Sequence, residues 1–134
     1  MEPGIQALLV YRDEETVRSL ILELQKLNVQ TRQARTCQHA RSLLSIADNP
    51  PDIVFTDTAL PDGSWRELLA IGRELHLPSK IVVVARTLDP GLYIDAMEQG
   101  AFDFMLAPFA GDDLAHVIRC ATDKRTHAMA YAPE

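Results

Sequence analysis

The stretch PPDIVFTDTALPDGSW, residues 50–65, places a carboxylate at the end of a segment typical of a buried strand. The apolar run from Ile53 to Thr56 leads directly into Asp57, and the turn-forming sequence LPDG follows at residues 60–63. A charge at the rim of a core is costly to remove from water unless another group pairs with it or uses it. Asp57 is therefore the first candidate functional residue.

Other segments of strand character alternate with segments of helical period along the chain. The strands are predicted at Ala7–Tyr11, Val29–Arg35, Ile53–Thr56, Ile81–Ala85 and Phe102–Leu106. An amphipathic helix follows each strand. The fourth helix is predicted at Leu92–Gln99, with Pro90 near its start and Gly100 in the stop position. The order is therefore a βα unit repeated along one domain, predicted to cover residues 1–126, with a tail or linker at 127–134.

Strict alternation of strands and helices favours a parallel sheet covered by helices on both faces. The segment Val29–Arg35 alternates with polar residues and is expected at a sheet edge. We therefore predict an α/β fold, the flavodoxin-like (βα)5 three-layer sandwich with strand order 2-1-3-4-5. Its crevice opens where strands 1 and 3 diverge at their carboxyl ends. Asp13 follows strand 1 and Asp57 ends strand 3, so both carboxylates are expected at this crevice.

Composition narrows the classes of partner. The chain has 134 residues, 47% of them apolar, and a formal charge of −6. No Lys/Arg run is present, so binding to nucleic acid or to an anionic membrane is not expected.

No positive segment precedes the short apolar run at the N-terminus, and no stretch approaches the roughly 18 apolar residues of a membrane span, which predicts a cytoplasmic protein. Cys37 and Cys120 are expected to be free thiols on opposite faces of the sheet.

Acidic groups at the carboxyl end of a parallel sheet can hold Mg²⁺ or act as a nucleophile towards phosphorus. The run Asp13-Glu14-Glu15 makes the loop after strand 1 acidic and poor in glycine. A loop that cradles a ligand's phosphate through backbone N–H groups has the opposite character, so a flavin or nucleotide is disfavoured. Glu14 and Glu15 are interpreted as acids that complement a helix dipole.

With these residues in place, the chain resembles the receiver domain of bacterial two-component response regulators from about Ile5 to about Arg125. The matching stretches are ALLVYRDEETVRSLI, PDIVFTDTALPDGSWRELL, KIVVVAR and EQGAFDFMLAPF. In that family the aspartate of strand 3 accepts a phosphoryl group from a partner's phosphohistidine with the help of Mg²⁺. The resemblance makes Asp57 the phosphoacceptor. It also implies a metal site formed by Asp13, Asp57 and the backbone carbonyl of Ala59.

Several positions depart from the family's pattern. Arg12 stands where the family has its first acid, and Ala85 where it has Ser or Thr. Ala107 replaces the Lys before the proline of LAPF, and Phe104 replaces the usual Tyr of the switch. Thr87 is an alternative to position 85, but ungapped spacing back from LAPF favours Ala85. Weak Mg²⁺ binding is predicted because Arg12 places a positive charge where the family has an acid. Impaired or atypical phosphorylation is predicted because the methyl groups of Ala85 and Ala107 supply neither a hydrogen bond nor a charge.

Four conformational expectations follow from the resemblance and from the residues themselves. Arg12, with Arg86 as the second candidate, is expected to neutralise Asp57; the alternative is that both arginines extend into solvent. The Ala107–Pro108 peptide bond is expected to be cis, and the Phe104 ring to rest inward. Trp65 is expected to form a partly exposed cap at the start of helix 3.

Three functions are compared. The first is a phosphorylatable receiver that acts as a signalling switch in a phosphorelay. The second is a pseudo-receiver, a protein-binding module that works independently of phosphate. The third is an enzyme, such as a small flavodoxin-like redox protein or a phosphatase that uses Asp57, and the acidic, glycine-poor loop disfavours it.

The expected partners of a receiver follow from the resemblance. They are a sensor histidine kinase or phosphotransfer protein, and a downstream protein at the face formed by helix 4, strand 5 and helix 5. A second copy of the chain is a further candidate. The chain is interpreted as either a single-domain regulator or a piece of a longer one.

Overall fold

The computed structural model describes residues 4–46 and 48–123. A five-stranded parallel sheet has the order β2-β1-β3-β6-β7, and a short antiparallel hairpin pairs β4 with β5. The strands are β1 Gln6–Val10, β2 Gln30–Ala34, β3 Ile53–Asp57, β4 Ala59–Leu60, β5 Gly63–Ser64, β6 Lys80–Ala85 and β7 Asp103–Leu106. The helices are α1 Glu14–Lys26, α2 Cys37–Ser45, α3 Trp65–Glu74, α4 Pro90–Glu98 and α5 Gly111–Thr122.

The predicted sheet order is confirmed once the small hairpin is set aside, because the main-sheet strands then follow the order 2-1-3-4-5. The polar strand β2 lies at an edge, and β3 lies at the centre between β1 and β6. Asp57 is the last residue of β3 and pairs in register with Val84. The flanking helices form two layers, so the three-layer flavodoxin-like architecture is also confirmed.

The core consists of two apolar clusters, one on each face of the sheet. The first packs α1 and α5 against β1, β3 and β6, with Leu24 and Leu114 fully buried. The second packs α2, α3 and α4 against the other face, with Leu68 and Ala96 fully buried. Both faces of the strands are covered, which explains their nearly continuous apolar sequences.

Side chains at the helix starts explain where each helix begins. The side chains of Asp13, Thr36, Ser64 and Asp89 accept backbone N–H groups at the starts of α1, α2, α3 and α4. Pro90 occupies the first turn of α4.

The start of α3 corrects one prediction: Trp65 is only 3% exposed and belongs to the second cluster, so it is not a partly exposed cap. The guanidinium carbon of Arg66 lies 4.5 Å from the centre of its ring.

Cys37 and Cys120 are free thiols. Cys37 packs in the second cluster, whereas α5, which carries Cys120, packs on the opposite face, as predicted. The predicted tail at 127–134 lies outside the described residues, and so does the predicted domain end at residue 126. Among the described helices, none has the length and apolar character needed to cross a membrane.

Candidate functional site

The carboxyl ends of β1, β3 and β6 meet at one end of the sheet and border an open groove. Parallel strands deliver the residues that follow them to the same edge, so the topology brings together segments far apart in sequence. The groove is lined by Arg12, Asp13, Glu14, Arg35, Asp57, Thr58, Ala59, Val84, Ala85 and Arg86. Of the predicted site residues, only Phe104 and Ala107 are not part of this lining.

Asp57 is held by the backbone of the loop that follows β1. Its Oδ2 accepts a hydrogen bond from the Arg12 N–H at 2.7 Å and a longer one from the Asp13 N–H at 3.4 Å. Within the described part of the chain, Oδ1 accepts no hydrogen bond. The carboxylate is therefore oriented through one oxygen while the other is left for a ligand or a reaction.

The pKa of Asp57 is raised above its ordinary value, chiefly because the partly buried carboxyl loses contact with water. The backbone hydrogen bonds from Arg12 and Asp13 oppose that rise because they favour the charged form. The negative charge of Asp13 raises the pKa further, and the positive charge of Arg86 lowers it. The acid at the end of the core strand is thus stabilised mainly by peptide N–H groups.

Asp13 is engaged through both of its carboxylate oxygens. Oδ1 accepts the Glu15 N–H at 2.9 Å and so caps α1. Oδ2 lies 2.7 Å from Nη1 of Arg86, which follows the end of β6 directly. An arginine from one strand end therefore reaches across the groove to the acid that follows another.

These contacts correct the prediction that the Arg12 side chain neutralises Asp57. Arg12 does contact Asp57, but through its backbone N–H, and the residue is exposed. Arg86, the second candidate, forms its ion pair with Asp13 rather than with Asp57. The alternative that both arginines extend free into solvent is also wrong, because Arg86 is held at the groove.

Of the remaining predicted positions, two line the groove and two pack against the apolar clusters. Ala59 begins β4 and Ala85 ends β6, and both line the groove. Ala107 packs against the first apolar cluster, and the Ala107–Pro108 peptide bond is cis, as predicted.

Phe104 packs against the second cluster. The centre of its ring lies 5.6 Å from that of Tyr93 in an edge-on arrangement. This partly buried position agrees with the expectation of an inward ring.

Arg35 lines the groove but has no counterpart among the predicted site residues. Its Nη1 lies 3.4 Å from Oε1 of Glu14, its Nη2 donates to the Arg12 carbonyl at 3.4 Å, and its guanidinium carbon lies 4.8 Å from the centre of the Tyr11 ring. These contacts fasten the loop that holds Asp57. The available signal was its position directly after β2, whose carboxyl end borders the same crevice.

Asp62, in the LPDG turn between β4 and β5, is another structurally important residue outside the predicted site. Its carboxylate accepts the N–H groups of Cys37 at 2.7 Å and Gln38 at 3.0 Å, and these bonds lower its pKa. Burial, together with the charge and hydrogen bonding of Asp62, raises the pKa of Cys37 to about 11. The turn that follows Asp57 is thereby tied to the start of α2.

The donor set fits a divalent cation poorly. Mg²⁺ prefers carboxylate and carbonyl oxygens together with retained waters. Here Asp13 is already bonded through both oxygens, one of them to a cation, and Arg12 supplies no acidic ligand. No group of three or more His, Cys, Asp and Glu side chains that could hold a metal occurs within residues 4–46 and 48–123.

Comparison with known proteins identifies the family of this site. The response regulator receiver domain family matches residues 8–119. The response regulator protein PilR of Pseudomonas aeruginosa is 31% identical over 129 residues, which are 96% of this chain and 28% of PilR. The chain therefore spans just over a quarter of the length of that relative.

Solved structures share the fold. A receiver domain protein from Clostridium thermocellum superposes with a TM-score of 0.80 at 19% identity, over 93% of this chain and 99% of that one. A beryllofluoride-activated NtrC4 receiver domain dimer gives a TM-score of 0.76 at 22% identity, over 87% of this chain and 94% of that one. The family match covers most of the sequence and includes every residue that lines the groove described above, so this chain belongs to the response regulator receiver domain family.

Proposed function

We propose that this receiver is switched by phosphorylation of Asp57, and that the reaction is slower than at a site with the family's full set of residues. Receiver domains act as signalling switches in two-component systems, which sets the role. The observation that carries the assignment to Asp57 is its geometry. The residue ends the central strand at an open groove, with Oδ2 held by two backbone N–H groups and Oδ1 without a hydrogen bond in the described residues.

The chemistry is a transfer of one phosphoryl group. An oxygen of Asp57 attacks the phosphorus of a partner's phosphohistidine, the P–N bond breaks, and the imidazole nitrogen keeps the bonding pair and takes up a proton. The products are an aspartyl phosphate and a neutral histidine. The Arg12 and Asp13 N–H groups hold the other carboxylate oxygen, which orients the nucleophile for in-line attack.

Two alanines account for the proposed impairment. A hydroxyl at position 85 would donate a hydrogen bond to the phosphoryl group, and an ammonium at position 107 would place a point charge beside it. Ala85 and Ala107 supply neither. The same two losses weaken the switch, because fewer contacts distinguish the phosphorylated from the unmodified protein.

The proposed partners follow from this role. A sensor histidine kinase or a phosphotransfer protein would supply the phosphoryl group at the groove. A downstream protein would read the face formed by α4, β7 and α5, where Tyr93, Ile94 and Leu106 are exposed apolar side chains. A homodimer is a further proposal for this surface, since a related receiver has been solved as a dimer.

A second candidate function is a pseudo-receiver that binds its partner without phosphate. The Arg86–Asp13 ion pair favours it, because this contact already neutralises part of the acidic site in the unmodified chain.

Incubation with acetyl phosphate and Mg²⁺, followed by intact-mass measurement, separates the two functions. We expect the mass of one phosphoryl group to be added to the wild type and to Asp48→Asn, a control variant that removes a carboxylate outside the groove. Asp57→Ala should remain unlabelled. The pseudo-receiver would be favoured if the wild type stays unlabelled after long incubation with acetyl phosphate and also with a purified, phosphorylated histidine kinase.

A further inference from the structure

We propose that the Arg86 guanidinium takes the place of the divalent cation in this receiver, so that Asp57 is phosphorylated without a metal and Arg86 contacts the phosphoryl group. This inference rests on the proposed phosphorylation of Asp57. It concerns a different question, namely which positive charge the reaction uses.

The position of Arg86 is the first argument. Its Nη1 lies 2.7 Å from Oδ2 of Asp13, the carboxylate that would otherwise be a metal ligand. The other oxygen of Asp13 is committed to the α1 cap at 2.9 Å from the Glu15 N–H. A metal would have to displace Arg86 from Asp13, whereas a phosphoryl group on Asp57 would meet a cation already in the groove.

The charges at the site are the second argument. In the unmodified protein Asp13 and Asp57 carry two negative charges, and Arg86 is paired with one of them. Conversion of Asp57 to an aspartyl phosphate raises its charge to about two negative units. Arg86 has several N–H donors in a planar fork and can bond a phosphoryl oxygen and the Asp13 carboxylate together. No metal is needed to offset the added charge.

The reach and freedom of Arg86 are the third argument. Its side chain is 61% exposed, so it can move towards a phosphoryl group without unpacking the core. It follows Ala85 directly, where the missing hydroxyl would have been. Arg86 therefore lies between β6 and the loop that leads to α4. A movement of Arg86 towards the phosphoryl group would shift this loop and so alter the proposed partner surface.

The labelling reaction used in the test transfers one phosphoryl group from acetyl phosphate to Asp57. Asp57 Oδ attacks the phosphorus of acetyl phosphate, the bond between phosphorus and the acetyl oxygen breaks, and acetate leaves with the bonding pair. No oxidant, reductant or further reactant is required. Arg86 stabilises charge in the transition state and in the product without exchanging a proton.

The test measures labelling rates by intact mass in a chelator and in Mg²⁺. We expect the wild type to be labelled at rates within about twofold in the two conditions, whereas Arg86→Ala should lose about tenfold or more in the chelator. Arg86→Lys should retain part of the metal-free rate. Arg41→Ala is the matched control, since Arg41 is a partly exposed arginine paired with Glu74 outside the groove.

A binding measurement gives a readout that does not depend on labelling. Calorimetric titration with Mg²⁺ should show tighter binding to Arg86→Ala than to wild type, by about fivefold or more, because Oδ2 of Asp13 is released. Circular dichroism checks that each variant is folded.

The outcomes distinguish the inference from the function on which it rests. Labelling of the wild type only with Mg²⁺, or equal metal-free rates for wild type and Arg86→Ala, would overturn the role of Arg86 and leave phosphorylation of Asp57 standing. No labelling in either condition would overturn both.

Discussion

The Arg86–Asp13 ion pair should show a small but measurable coupling free energy, and its size can be worked out from the structure. Two unit charges 2.7 Å apart attract by about 1.5 kcal/mol in bulk water and by about 6 kcal/mol at an effective dielectric constant of 20. The side chains are 61% and 30% exposed, so solvent screening and lost side-chain freedom offset most of this attraction. We expect a net coupling of about 0.5–1 kcal/mol.

A double-mutant cycle isolates that coupling from the other role of Asp13. Arg86→Ala should lower the free energy of unfolding by about 0.5–1 kcal/mol. Asp13→Ala should lower it by about 1.5–2 kcal/mol, because the α1 cap is lost as well. Removal of Asp13 also relieves its repulsion with Asp57, but this change occurs in both Asp13 variants and cancels in the cycle.

Urea unfolding of the four proteins, at low salt and at about 1 M salt, provides the measurement. The coupling should shrink at high salt, as for any partly exposed pair. The Arg41–Glu74 pair offers a parallel cycle outside the groove, with side chains 43% and 57% exposed, and we expect a coupling no larger than that of Arg86–Asp13. A coupling indistinguishable from zero at low salt would contradict this prediction, and the ion pair would then give no energetic support to a built-in cation.

Three further outcomes are expected. The Cys37 pKa of about 11, against an ordinary 9.0, implies about a hundredfold lower thiolate fraction near neutral pH. Iodoacetamide should therefore label Cys120 first, and equal rates by peptide mass would contradict the buried position of Cys37. Thr16→Val should raise the free energy of unfolding by about 1 kcal/mol in urea titrations, because the buried Thr16 hydroxyl has no partner in the described residues. A decrease of similar size would show that the hydroxyl does have a hydrogen-bond partner. Ala107→Lys should speed labelling of Asp57 by acetyl phosphate, because the new ammonium lies beside the phosphoryl group, and should leave Mg²⁺ affinity unchanged. A changed Mg²⁺ affinity would indicate that the ammonium contacts Asp13 or Asp57 instead.

The fold was predictable because each of its elements carries its own local signal. Continuous apolar runs marked the strands buried on both faces, and the polar alternation of β2 marked the edge. The α4 signals also held, since Pro90 lies in its first turn and Gly100 follows its end at a φ of 106°. Right-handed connections between parallel strands then left few orders to consider.

Two local features were missed for different reasons. Trp65 precedes Leu68 and Leu69 at the spacing of a buried helix face, so its burial was available in the sequence but was obscured by the turn before it. The LPDG sequence indicated the turn between β4 and β5, but strands of two residues are too short to carry a pattern of their own. The hairpin forms around the Asp62 contacts to α2, which depend on tertiary proximity.

At the groove, the residue types predicted which residues meet but not which of their atoms make contact. The predicted ends of strands 1 and 3 correctly brought Asp13 and Asp57 together. The sequence does not indicate, however, whether the backbone or the side chain of Arg12 contacts Asp57. Because Asp13 caps α1, the loop before it is turned so that two successive N–H groups point to Oδ2 of Asp57. The peptide groups thus satisfy the acid at no cost in side-chain entropy, and the Arg12 guanidinium is not needed for that purpose. Asp13 is then left with an oxygen that a cation can take, and Arg86 is the cation whose strand end lies across the groove.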